Sequence, residues 1–209
     1  MAIHNSALAG LTADLHGLER PLVAHWPRVH ETFLRWVAKP EFRVDLRDYV
    51  RSLPEAELAA RARETTTHFA WCLLDQPDTD FTLWLHEYKP RHDWRPGYAD
   101  SVHNHRYHFC TTLLHGSYLH ERFDATVSAE SGLITSVTPR ERMTCETGSS
   151  AVMLAPEYHR VGGVADDTMT FLVKSRPVAA WSLSYDPGCG VTHRHVPVEN
   201  RLGEMSARI

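Results

Sequence analysis

The apolar positions of this chain change period once. Leu8, Leu11, Leu15 and Leu18 recur every three or four residues, which predicts a helix with Ser6 as its N-cap. Val29, Phe33, Trp36 and Val37 form a second such stripe after Pro27, and Leu46, Tyr49, Val50 and Leu53 a third. Ser52-Leu53-Pro54-Glu55 has capping-box spacing and opens an Ala-rich helical stretch, 55–63. From about Thr66 the period becomes that of strands. Runs at 68–74, 81–88, 108–115, 117–123, 133–137, 151–154, 169–174 and 181–185 are separated by polar turns rich in Gly, Pro and Asp. Many short strands joined this way predict an antiparallel barrel or double sheet. The expected organisation is a helical N-terminal segment packed on the barrel (1–65), the barrel itself (66–190) and a polar tail (191–209) that wraps the barrel or stays loose.

Composition narrows the partners. A net charge of -4 with His neutral gives no broad electrostatic case for nucleic acid, and Lys89, Arg91 and Arg95 are too sparse to reverse it. No apolar run approaches the length of a membrane span, and Met1-Ala2-Ile3-His4-Asn5 lacks a basic-then-apolar signal. The expectation is a cytoplasmic protein with no membrane partner, a monomer or small homo-oligomer acting on a small molecule. Cys72, Cys110, Cys145 and Cys189 form no CxxC pair and are expected to be thiols.

The chemistry concentrates in histidine. Five of the fifteen lie between His103 and His120. In His103-Asn104-His105 the two imidazoles, at i and i+2, share one face of a strand. His159, three residues after Pro156, stands where a later strand could close a facial three-nitrogen metal site. Neutral imidazole suits iron, copper, nickel or zinc, and three neutral ligands leave the ion's charge free to hold an anionic substrate. One of His108, His115 and His120 could stand behind a ligand or relay a proton, although turn or solvent positions explain them as well. His193-Arg194-His195 repeats the spacing in the polar tail and reads as incidental. Trp71, Phe81, Trp84 and Tyr88 read as core, with Trp71 alone assigned to a pocket wall. Strand parity sets Cys110 on the face opposite His103 and His105 unless a bulge intervenes.

The His-x-His pair, the later Pro-x-x-His and the strand-rich frame together resemble the cupin superfamily, and within it the thiol dioxygenase group typified by cysteine dioxygenase. The resemblance runs over roughly 69–185. Ser101-Val102-His103-Asn104-His105 with Cys110, Leu114, Gly116 and Glu121 is similar to that group's first metal motif, in which a cysteine replaces the glutamate ligand of the general pattern. Leu74-Asp75-Gln76, His159-Arg160 and Ser182-Leu183-Ser184-Tyr185-Asp186-Pro187 match further parts. The resemblance implies a mainly β, jelly-roll-like cupin barrel with ferrous iron on His103, His105 and His159. It also implies dioxygen as co-substrate, a Cys110–Tyr185 thioether pair and a sulfinate product.

Two positions depart from the group. Trp71 stands where its substrate-binding arginine would be, and Leu183 where a hydrogen-bonding histidine would be. A larger or less charged substrate than cysteine is implied, with Arg106, Arg160 or Arg91 as replacement cation. An iron cupin oxidising a carbon or nitrogen centre, and a metal- or ligand-binding cupin without turnover, are the other functions the sequence accommodates. Glu121 would be a fourth ligand in an ordinary cupin, but its spacing from His105 is too long for the usual motif.

Overall fold

The computed structural model describes residues 7–95, 97, 100–197 and 201–209. The expected cap Ser6 lies outside them. Four helices come first: α1 (Ala7–His16), α2 (Trp26–Val37), α3 (Phe42–Ser52) and α4 (Glu55–Arg61). Pro27 sits in the first turn of α2, where its missing N–H costs nothing. The capping box at Ser52 does not form. Its hydroxyl donates back to the Tyr49 carbonyl at 2.7 Å, and α4 opens on Pro54 without a side-chain cap.

Twelve strands follow among the described residues: β1 (Arg63–Glu64), β2 (His68–Asp75), β3 (Phe81–Tyr88), β4 (Val102–His103), β5 (Phe109–His115), β6 (Ser117–Val127), β7 (Ile134–Glu146), β8 (Ser150–Met153), β9 (Tyr158–Gly162), β10 (Met169–Ser175), β11 (Ser182–Asp186) and β12 (Val191–His195). A short helix, α5 (Leu202–Ser206), follows them. The strands pair antiparallel into two six-stranded sheets, in the orders β1-β2-β3-β10-β5-β8 and β12-β11-β4-β9-β6-β7. This is a mainly β, jelly-roll-like double sheet with a helical N-terminal segment. Of the two expectations for the tail, wrapping the barrel or staying loose, the described residues take the first: they supply β12, which pairs with β11 along five residues.

Side-chain parity divides the first sheet between two cores. Leu83, Leu85, Phe171, Val173 and Cys110 face outward and join Leu11, Leu15, Trp26, Val29 and Phe33 of the helical layer in one buried cluster. Phe171 is fully buried, stacked on Phe33 at 6.0 Å and edge-on to Phe42 at 5.3 Å. Burial of such a ring stabilises by about 2–3 kcal/mol, which is what holds the helices to the sheet. The alternate residues Phe109, Leu172, Met153 and Trp84 face inward. Across the interior, Tyr118, His120 and Arg122 of β6 answer them, with Tyr88 and Tyr118 ring to ring at 6.3 Å and the Arg122 guanidinium bonded to the Val152 carbonyl at 2.7 Å. No described helix is long and apolar enough to cross a membrane.

Candidate metal centre

The three predicted histidines meet on the interior face of the second sheet. His103, ending β4, is the cross-strand partner of His159 in β9, and their ring centroids are 4.7 Å apart. Directly opposed residues on one face of a ladder hold their side chains this close as a matter of strand geometry. His105 lies beyond the end of β4. Its backbone N–H bonds to the Ala155 carbonyl at 3.3 Å, while Asn104 brackets β11, donating its N–H to the Leu183 carbonyl and accepting from the Leu183 N–H at 2.7 Å. These bonds turn His105 back toward its partners, 4.9 Å from the His103 ring and 5.1 Å from the His159 ring.

One nitrogen from each ring lies within 4.8 Å of the others. The Nε2 atoms of His105 and His159 are 2.9 Å apart. Two ligand nitrogens at about 2.1 Å from a shared ion and at right angles to each other would be separated by about 3 Å, so this pair already has the spacing of adjacent ligands. The backs of two of the rings are engaged too. His103 Nδ1 lies 2.9 Å from the Ser101 carbonyl, to which it must donate, leaving the Nε2 lone pair for a metal. His159 Nδ1 lies 3.0 Å from His120 Nε2, which fixes the ring's orientation. Burial pulls His103 and His120 down to about 4 and holds His105 and His159 well below the ordinary imidazole range. All four are neutral at pH 7, the form that binds a divalent cation.

Among the described residues, no carboxylate joins these three nitrogens. Glu121 is on the outer face of its sheet, bonded to Arg160 at 2.7 and 2.8 Å. That pairing also removes Arg160 from the site: it alternates with His159 along β9 and points the other way, over Phe123. Arg91 packs on Trp94, its guanidinium 4.4 Å from the ring. Arg106 is half-buried in the loop between β4 and β5, where its carbonyl accepts from Val178 at 2.7 Å and its charge acts on Tyr107.

Three further expectations are corrected by strand parity. Cys110 is fully buried on the helix-facing side of β5, beside the Trp26 indole, while Phe109 points inward against His105 and His159. No bulge reverses this. Tyr185 is paired with Val102, one residue out of step with the His103–Ser184 pair, and therefore sits on the opposite face from His103. Trp71 is paired with Leu85 of the helix-facing core and donates to Glu87 at 3.3 Å, away from the histidines. The residues expected to be plain core, Trp84 and Tyr88, are the ones on the inward face.

Several interior residues were not singled out by the sequence. His68 and His86 stack at 4.4 Å on adjacent strands. Burial, first of all, pulls His68 down to about 3 and holds His86 well below its usual range, and neighbouring charges, Lys174 foremost, push the same way. The Lys174 Nζ lies 4.4 Å from the Trp84 ring and 3.0 Å from His86 Nε2. His195, in the tail motif taken as incidental, bonds Ser184 Oγ at 2.7 Å, and Ser184 is the cross-strand partner of His103. Cross-strand register brings these residues together, and no short-range pattern in the chain announces it. His108 accepts the Ala155 N–H at 2.8 Å and His115 is exposed at a strand end, so His120 is the one of the three that backs a ligand.

No family model and no curated protein matches the chain. Among solved structures it is similar to an iron(II) form of HppE (12% identity, TM-score 0.34, 53% of this chain and 50% of that one). It is also similar to KdgF from Halomonas sp. (12%, 0.38, 55% and 85%) and to oxalate decarboxylase from Bacillus subtilis, a protein with Mn(II) centres (15%, 0.39, 61% and 30%). The chain thus spans half of HppE and under a third of oxalate decarboxylase. Likeness at this level carries nothing about the site. The sheet topology and the three-histidine cluster stand on their own geometry.

Proposed function

We propose that the protein is a mononuclear non-haem iron oxygenase that uses dioxygen on a small organic anion bound inside the barrel. The observation that carries this reading is the convergence of His103, His105 and His159, three neutral nitrogens without a carboxylate, on an inward face. A ferrous ion held there would supply Lewis acidity and open positions for substrate and dioxygen. With no anionic ligand from the protein, its charge would favour an anionic donor, and a thiolate is the first to test.

The chain's own residues hold the geometry and the environment. Ser101 and His120 aim the His103 and His159 rings. Phe109 covers the His105 and His159 rings on the side of the first sheet, which keeps water from that flank. Cys110 and Tyr185 take no part in this reading, and their placement favours a second substrate class: an iron cupin directed to a carbon or nitrogen centre.

The test is oxygen uptake by protein loaded with ferrous iron under anaerobic conditions, against a panel of small thiols and of thiol-free carboxylates. Uptake coupled to a sulfinate supports the thiol branch, and uptake with a thiol-free acid supports the other. A protein that binds iron stoichiometrically and consumes oxygen with no member of the panel would overturn the oxygenase reading in favour of a binding cupin.

A further inference from the structure

The protein buries two lysines, and among the described residues only one of them has a counter-ion. Lys89, 5% exposed, donates to Glu64 at 2.5 Å and to the Thr65 carbonyl at 2.7 Å. Lys174, 7% exposed, forms no ion pair with any described Asp or Glu. Its Nζ meets His86 Nε2 at 3.0 Å and two aromatic faces, Trp84 at 4.4 Å and Tyr107 at 5.4 Å. Placing a cation in such surroundings is costly unless an anion joins it. Lys174 is on the inward face of β10, opposite Phe109 and Thr82, so its stem runs along the interior past Trp84 to reach His86.

This end of the interior faces the metal centre. The Tyr107 ring lies 5.2 Å from the His105 ring on one side and 5.4 Å from Lys174 Nζ on the other. Trp84 carries a second cation, the Arg63 guanidinium at 5.7 Å. His68, His86, Trp84, Tyr88, His105 and Tyr107 are all half-buried, so this flank is closed to bulk water less completely than the side of His103 and His159. A half-buried aromatic floor with a cation at one end and three imidazole nitrogens at the other is suited to an anion with a short apolar or aromatic body.

We propose that Lys174 is the anchor for a substrate carboxylate, holding the molecule across Trp84 and Tyr107 with its other end toward the three histidines. This rests on the metal reading above and names the substrate class for that site. The anchoring cation is therefore a lysine of β10, in place of Arg91, Arg106 or Arg160. Burial pulls Lys174 down to about 7, so an arriving carboxylate would also stabilise its charged form.

The experiment uses protein loaded with cobalt(II), which does not turn over and reports its ligands by its visible spectrum. Benzoate is titrated by calorimetry into the wild type, Lys174→Met and Lys174→Arg, with benzamide as the uncharged control. Methionine keeps the stem and removes the buried charge, a change that proteins tolerate well. The expected result is benzoate binding about ten- to a hundredfold weaker in Lys174→Met, partly recovered in Lys174→Arg, with cobalt uptake unchanged and benzamide weak throughout. Equal benzoate affinity in wild type and Lys174→Met, or benzamide binding as tightly as benzoate, would overturn the proposal. Should the wild type fail to take up cobalt, the metal assignment falls, and the same comparison on that protein still decides the anchor.

Discussion

His120 Nε2 lies 3.0 Å from His159 Nδ1, so the imidazole on β6 holds the imidazole on β9 by its back edge. A partner of this kind fixes which nitrogen of a ligand carries the lone pair and where the ring points. His120→Ala is therefore expected to weaken metal affinity by about 10- to 100-fold while leaving a stoichiometric site at high metal. Competition against a fluorescent chelator measures it. Unchanged affinity would mean that His120 only fills space.

Acid should loosen the metal-free protein. His68, at about 3, and His103 and His120, at about 4, stay neutral in the folded chain well below the unfolded imidazole value of about 6.5. Between about pH 6.5 and pH 3 the unfolded chain binds more protons, so stability falls as pH falls through that window and is fully present above it. Urea midpoints at pH 7.5, 6 and 5 should decline in that order, and less steeply in His68→Gln. A flat series would show that these rings are solvated.

Cys110→Ala distinguishes packing from chemistry. The thiol is fully buried among helix-facing core residues, and burial pushes its ionisation upward. The expected outcome is a loss of roughly 1 kcal/mol in stability, read by chemical denaturation, with metal content and turnover unchanged. A large fall in turnover at unchanged iron content would return Cys110 to the site.

The parts of the fold legible in the sequence are those buried on both sides. β2, β3, β5 and β10 lie between the helical layer and the barrel interior, so their runs are apolar enough to stand out, and β3 spans just the residues predicted. β7 was expected to end near Val137 but continues to Glu146. It is an edge strand, largely exposed, and carries Pro139 and a run of charges, which an edge tolerates and a pattern search reads as loop. β4 has only two residues and no period to detect.

The candidate site divides the same way. The clustering of His103, His105 and His159 was legible because their spacing on strands brings imidazoles together. Cys110, Tyr185 and Trp71 came from resemblance, and the alternation of their own strands places them on other faces. Lys174 and His86 are 88 positions apart and become a pair only when β3 and β10 align. Nothing local in the chain marks them.

The proposed function requires His103, His105 and His159 to hold one divalent metal ion. The most direct test is the metal content of wild type and His159→Ala after anaerobic loading with ferrous iron and removal of excess by gel filtration, with circular dichroism to confirm the fold. One iron per wild-type chain and almost none in a folded His159→Ala is the expected result. Stoichiometric iron retained by His159→Ala would show that the metal is held elsewhere.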